Sequence, residues 1–447
     1  MDSGHECYEQ KISYARASLW APFYAVAMTA RIQGEVPTDL LTNALHKLQI
    51  LHPPLASRVR VERDGAAWLT TAGVGAFPLE VRPKVSDDDW AGLLLEQERT
   101  PFPFERGPLT RFYLLRGAAS SDLIVVAPHV VCDGYSMAHV MCDAVALLND
   151  PDREVLRPPL PPAVTWQTMP HALSDNLWLR GLVRAANGAW RGPRVTLHQH
   201  EYQELHRQYW AHHHNGLLAL ALSPAETSDL AARCRQHGVA ITGALVAAFL
   251  LARNDVWPAG QPAPREISVA TNIRDRMTPH PGCAVGVYAS SLDVRIRAQA
   301  GDTFWALASA GHRRIHRALR NRAQVLKPLV LAELDPRIID AAVAALATGE
   351  WGREFALFTR FVKIKETVRS LNVSNIGRIE LPDLGAPYRL ETLLPFPPVV
   401  PGGELALNVL TVRGQMHVLL RFRQDRVDAA LVARLKERAL HYLFGAP

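Results

Sequence analysis

Cysteine is scarce in this chain and poorly placed for pairing. The five residues, Cys7, Cys132, Cys142, Cys234 and Cys283, are odd in number and scattered over 447 positions. They show neither a disulfide framework nor the short repeated spacings of a zinc module. A reduced, cytoplasmic protein is expected. Long hydrophobic runs are missing as well. The longest uncharged apolar run, Ala244 to Ala252, is far shorter than the ~20 residues a bilayer span needs. The first residues, Met1 to Glu6, have no basic n-region and no apolar h-region, so no signal peptide is expected. The net charge of +6 is dispersed, suits an acidic partner only weakly, and comes with no nucleic-acid-binding motif. What is present is ordinary globular material: 48% hydrophobic and 21% charged residues, in a chain long enough for two domains.

One stretch organises the rest. The apolar run Leu123-Ile-Val-Val-Ala127 leads into Pro128-His-Val-Val-Cys-Asp-Gly134. After it, Met137, Val140, Met141, Ala144, Val145 and Leu148 recur at helical spacing and form one face. The pattern reads as strand, tight turn and helix. His129 falls at the strand exit, where side chains commonly meet a cleft. Asp133-Gly134 is a turn dipeptide. A histidine there is a candidate general base, because a pKa of about 6.5 leaves the imidazole mostly neutral at pH 7. The residues alone equally allow a histidine that only braces the turn.

His129-x-x-x-Asp133-Gly134 resembles the His-x-x-x-Asp-Gly signature of the chloramphenicol-acetyltransferase-like superfamily. That group includes nonribosomal peptide condensation domains, plant-type acyltransferases, alcohol acetyltransferases and polyketide-associated acyltransferases. Much of it carries two adjacent histidines, the second catalytic; here Pro128 takes the first place and His129 keeps the second. Further segments resemble the group in the same order. Pro101 to Phe112 is similar to the segment that precedes the histidine motif. Asn272-Ile-Arg274 is similar to an Asn-x-Arg at a strand end, and Val373-Ser374-Asn375-Ile376-Gly377 to a Ser-Asn-x-Gly segment. The Asp-Phe-Gly-Trp-Gly signature of the plant branch is absent, so alcohol acetyltransferases and polyketide-associated acyltransferases are the nearer groups.

The resemblance implies an α/β fold of two chloramphenicol-acetyltransferase-like sandwich domains, a pseudo-dimer within one chain with a channel between them. A monomer is therefore expected. The proline-rich stretch from Asp150 to Pro170 reads as a linker, which places a first domain at 1–170, a linker and connecting helix at 171–209, and a second domain at 210–447. Within the first domain, a helix is expected from Thr38-Asp39 to the prolines after His52, and a hairpin about Asp64-Gly65. Within the second, Ser223, Pro224 and Glu226 read as a capping box opening a helix, Thr242 to Ala252 as another helix, Glu266 to Asn272 as a strand, and Thr303 to Arg322 as a basic helix. A strand pair is expected about Arg413-Gly414, and a closing helix from Asp428 to Phe444. His198, His200, His206, His212, His213 and His214 lack the pairing with a carboxylate that a zinc helix uses, and read as exposed loop and strand start.

For function, the resemblance implies acyl transfer from a thioester, carried on coenzyme A or an acyl carrier protein, to a small-molecule alcohol or amine. No metal and no other cofactor is implied. His129 would be the base, Asp133 a structural residue paired with Arg274, and Gly134 a site of close backbone approach. Ser374 and Asn375 would either donate to a developing oxyanion or form a polar turn. The basic helix would either face solvent or meet phosphates or an acidic carrier protein. An ester product is expected, with a free-standing amide-forming condensation enzyme the nearest variant. Two other readings stay open: a non-catalytic carrier-protein or acyl-binding module, suggested by Pro128, and a hydrolase, suggested by Gly134-Tyr-Ser136-Met-Ala138, which nearly matches a nucleophile elbow.

Overall fold

The computed structural model describes residues 7–169, 177–258, 266–298, 301–320, 323–350, 369–380, 387–401 and 403–445. In the first half the strands are β1 (Glu9–Lys11), β2 (Ala25–Gln33), β3 (Arg58–Val61), β4 (Ala67–Thr70), β5 (Leu79–Pro83), β6 (Arg111–Arg116) and β7 (Ser120–Pro128). The helices are α1 (Thr38–Leu51), α2 (Asp89–Gln97), α3 (Gly134–Asn149), α4 (Leu177–Ala189) and α5 (Gln199–His212). The second half contributes β8 (Asn215–Leu222), α6 (Pro224–Gln236), α7 (Ile241–Val256), β9 (Ile267–Asn272), β10 (Ala289–Val294), α8 (Phe304–Arg320), α9 (Ala323–Glu333) and α10 (Pro336–Thr348). It ends with β11 (Arg369–Ile379), β12 (Leu390–Phe396), β13 (Gly403–Val412), β14 (Gln415–Arg423) and α11 (Ala429–Leu440).

Two large sheets form two lobes. The first has the order β12-β2-β7-β6-β5 and the second β10-β9-β11-β13-β14-β8; β1, β4 and β3 make a small third sheet. β7 sits inside its sheet, antiparallel to both β2 and β6. That position explains its unbroken apolar run: Leu123 to Ala127 are all buried, as a strand covered on both faces requires. The predicted face of α3 is buried in full, Met137, Val140, Met141, Ala144, Val145 and Leu148 alike. In the second lobe β9, β11 and β13 run parallel, and α7 is buried along its whole middle, from Gly243 to Arg253. Ser223 and Glu226 close the capping box that opens α6. Arg413 and Gly414 turn β13 into β14 with φ of 48° and 79°, the left-handed pair that a two-residue hairpin uses.

Three features depart from the expected layout. β12, from the second half, pairs antiparallel with β2 and completes the first sheet, so a segment of the second domain crosses back over the linker placed at 171–209. α5 is a helix, and its Tyr202, Leu205, Tyr209 and Trp210 pack into the first lobe's core, ahead of the start of β8 at Asn215. The histidines assigned to an exposed loop therefore sit on or beside a helix. His206 is buried there, and desolvation lowers its pKa to about 4. The segment about Ser374 is no turn but the middle of β11, with a bulge between Asn375 and Gly377. Gly377 has φ of 95°, which glycine adopts without strain, and the Asn375 Oδ1 accepts a hydrogen bond from its N–H at 2.9 Å. Of the expected elements, Pro170, the helix start at 173–176 and Arg322 lie outside the described residues.

Candidate active site

β7 ends at Pro128, and the chain enters α3 through residues 129–133. The turn is fixed at both ends. The His129 N–H donates to the Tyr24 carbonyl at 2.8 Å. Asp133 is the N-cap of α3 and accepts from the Ser136 N–H at 2.8 Å, the usual way to satisfy a free helical donor. His129 Nδ1 lies 2.8 Å from the Cys132 carbonyl. A carbonyl oxygen only accepts, so Nδ1 must carry the proton and Nε2 is left as a lone-pair acceptor. The Tyr24 ring stands edge-on to the imidazole, with centroids 5.9 Å apart.

Asp133 is also where the lobes join. Arg274, in the turn after β9, donates Nη1 to Oδ2 at 3.0 Å and Nη2 to Oδ1 at 3.2 Å. The backbone N–H of Tyr288 adds a bond to Oδ2 at 2.9 Å, and the Asp133 N–H donates to the Gly286 carbonyl. Asp133 and Arg274 are each 2% exposed. The guanidinium lies between the rings of Tyr135 and Tyr288, 4.7 and 4.6 Å from their centroids, a placement suited to a weakly hydrated planar cation. Burial pushes the Asp133 pKa up. The Arg274 charge and the bonds from Arg274, Ser136 and Tyr288 outweigh it and hold the carboxyl below its ordinary value. Asp133 therefore stays ionised and fixes the turn that carries His129.

Ser136 belongs to this joint. Its hydroxyl is fully buried against Asp133 Oδ1 and the Gly286 carbonyl, and accepts from Arg274 Nη2 at 2.8 Å. A serine so engaged is not a nucleophile, which removes the hydrolase reading.

A cavity of about 370 Å³ lies between the lobes. His129, Gly134 and Tyr135 reach it from the first lobe, Asn272, Arg274, Ser374 and Asn375 from the second. The structure thus brings every predicted site residue to one space. Gly134 is tight there: a Cβ would stand 3.0 Å from Ile376 Cδ1. Asn375 is already committed, since its Nδ2 donates to Thr242 Oγ1 at 3.1 Å and its Oδ1 holds Gly377. It shapes the bulge, whereas Ser374, its neighbour on β11, lines the cavity. Sequence reasoning missed Asn372, Asn408 and Lys327, which also line the cavity. Asn408 did leave a trace, as one polar residue inside the apolar run from Leu405 to Leu410. Among the described residues no three His, Cys, Asp or Glu side chains are grouped to hold a metal ion, and no single helix is long and apolar enough to cross a membrane.

Comparison with known proteins agrees with this architecture. Residues 216–333 match a family described as phthiocerol/phthiodiolone dimycocerosyl transferase C-terminus. Superposition on trichothecene 15-O-acetyltransferase from Fusarium sporotrichioides covers 99% of this chain and 97% of that one, with a TM-score of 0.64 at 12% identity. Polyketide synthase associated protein 5 from Mycobacterium tuberculosis covers 98% of both chains, with a TM-score of 0.60 at 14% identity. The chain has the chloramphenicol-acetyltransferase-like fold. The epimerization domain from the third module of tyrocidine synthetase B has this fold as well, with a TM-score of 0.63 at 13% identity over 98% of this chain and 96% of that one. In sequence, a nonribosomal peptide synthetase of Curvularia clavata is 24% identical over 66% of this chain, and the phosphinothricin tripeptide synthetase of Streptomyces viridochromogenes 26% identical over 71%. The chain spans 2% and 30% of the lengths of those two relatives. Acyltransferases and peptide-synthetase domains thus share the chloramphenicol-acetyltransferase-like scaffold, in which the His129 turn lies at the cavity between the lobes.

Proposed function

We propose that the protein is an acyltransferase of secondary or lipid metabolism, moving an acyl group from a thioester on coenzyme A or a carrier protein to an alcohol. His129 acts as general base. The observation that supports this most directly is the 2.8 Å contact of His129 Nδ1 with the Cys132 carbonyl, which in the neutral ring leaves Nε2 as the basic nitrogen of a residue that lines the cavity. The alcohol oxygen attacks the thioester carbonyl while Nε2 takes its proton. The tetrahedral oxyanion collapses, the carbon–sulfur bond breaks, and the imidazolium returns the proton to the departing thiolate. The products are an ester and a free thiol. Ser374 is the candidate hydroxyl donor to the oxyanion.

The likeness to peptide synthetases supports an amine acceptor as the second reading, with the same base and an amide product. Thiol release from a panel of acyl thioesters, with pooled alcohols and amines, tests both. Acceptor-dependent release that falls about 10²–10⁴-fold in His129→Ala is expected. Release indifferent to acceptor and to His129 would overturn the mechanism. Binding without release would make the protein a binding module.

A further inference from the structure

β13 carries one residue that its strand does not explain. Leu405, Leu407 and Val409 belong to the second lobe's core; the alternate positions, Ala406 and Asn408, line the cavity, and Leu407 between them also touches it. Asn408 is 5% exposed, and its Oδ1 has no hydrogen-bond donor among the described residues. A buried amide in that state costs stability, and an aliphatic residue of similar size would avoid the cost. Local rules are broken in this way at functional or strained sites, and among the unpartnered buried atoms Asn408 Oδ1 belongs to a residue that lines the cavity.

The neighbours of Asn408 continue the pattern. On the parallel strand β11, Ser374 is the direct partner of Asn408 and Asn372 that of Ala406, and both line the cavity. The sheet face is thus a strip of neutral donors and acceptors. The wall from α9 and α10 is apolar apart from Lys327, with Leu331, Ile339, Val343 and Leu346. The unmet atom of Asn408 is an acceptor and is itself covered; a partner meets it once the amide turns about χ2 toward the cavity, and must bring an N–H or O–H. In an extended secondary amide the N–H and C=O point to opposite sides. Two adjacent strands ~4.8 Å apart can hold both ends, Asn408 Oδ1 taking the N–H while Ser374 Oγ or Asn372 Nδ2 donates to the C=O.

We propose that Asn408, with Asn372 and Ser374, is a specificity element that recognises a secondary amide in the bound thioester. This rests on the acyl-thioester reading above. The amide belongs either to the pantetheine arm of the donor or to the acyl group itself, and the ligand set separates these sources.

The test measures binding in a His129→Ala background, where turnover cannot interfere, by calorimetry. Three non-reacting thioether analogues serve as probes: a pantetheine arm with a plain alkyl chain, a plain alkyl arm carrying an acyl-chain amide, and an all-alkyl control. Asn408→Leu is expected to weaken one or both amide-bearing probes by at least tenfold, to leave the control within twofold, and to raise the melting temperature. The probe that weakens identifies the source. Asn408→Ser, which keeps an acceptor, is expected to restore part of the loss. Equal binding of all probes by both proteins overturns the proposal and leaves the thioester reading intact. A lowered melting temperature in Asn408→Leu and Asn408→Ser, with probe preference unchanged, makes Asn408 a structural residue and also overturns it. Failure of the unsubstituted cavity to bind any probe overturns the thioester reading instead.

Discussion

Asp133 and Asp340 are both buried carboxylates that meet an arginine from the other half of the chain, yet burial has opposite outcomes at the two. Asp133 receives two bonds from Arg274, two from the N–H groups of Ser136 and Tyr288, and one from the Ser136 hydroxyl. Asp340 receives two from Arg16, at 2.8 and 2.6 Å, and one from the Leu197 N–H. Burial pushes both pKa values up. At Asp133 its partners prevail and the pKa is lowered; at Asp340 the Arg16 pair and the Leu197 bond do not, and it is raised. A bidentate arginine and one backbone donor do not hold a buried carboxylate's pKa below its ordinary value at Asp340, whereas a second backbone donor and a hydroxyl join the arginine that does so at Asp133. The fuller set of donors stands at the turn that carries the proposed base.

Removing the arginines should separate the two sites. Arg274→Ala leaves a carboxylate whose remaining partners all favour its charge, at the joint of the lobes. It should cost about 3–5 kcal/mol in urea unfolding and abolish acceptor-dependent thiol release in whatever fraction stays folded. Arg16→Ala should cost less, about 1–3 kcal/mol, because Asp340 can relieve its isolation by taking up a proton. Equal losses at the two sites would break the comparison.

Acidity gives a finer test. For Asp133 the folded pKa is lowered, so its contribution is complete above the unfolded value of about 3.9 and is lost as pH falls through the folded one. For Asp340 the folded pKa is raised, so stability declines as pH climbs from about 3.9 through the folded value. Unfolding midpoints between pH 3 and 6 should show that Asp133→Asn weakens the acid-side loss, and that Asp340→Asn removes a decline above pH 4. Identical profiles for the two variants would contradict the opposite shifts. The smallest effect is expected from Gly134→Ala. The new methyl group displaces only the flexible end of Ile376 at a helix start, so stability should change by less than about 1 kcal/mol, while the affinity for thioesters shifts because Ile376 lines the cavity.

Much of this was legible in the sequence where it is local. The buried face of α3, the cap at Ser223 and the turn at Arg413-Gly414 each follow from spacing that neighbouring residues enforce. The site was legible through ordered motifs, which name His129, Asp133 and Arg274 although 141 positions separate Asp133 from Arg274. What escaped depends on pairing across the chain. Leu390 to Phe396 runs into prolines and carries no alternation that would mark it as a strand, and only the edge of β2 makes it one. His206 sits in a polar stretch and is buried because α5 docks on the first lobe. Asn408 stood out as polar, but which space it faces is decided by the register of β13 against β11.

The crossing of β12 also sets a timetable for synthesis. β2 is made well before β12, and its outer edge pairs with residues 390–396. At translation rates of about 5–20 residues per second, that edge waits on the order of tens of seconds for its partner. During that interval it is an open row of N–H and C=O groups on a strand of buried hydrophobic residues, the kind of surface on which nascent chains associate. The first lobe is thus begun before the second but completed only once β12 has been made, and a fragment ending in the proline-rich stretch would carry this open edge permanently.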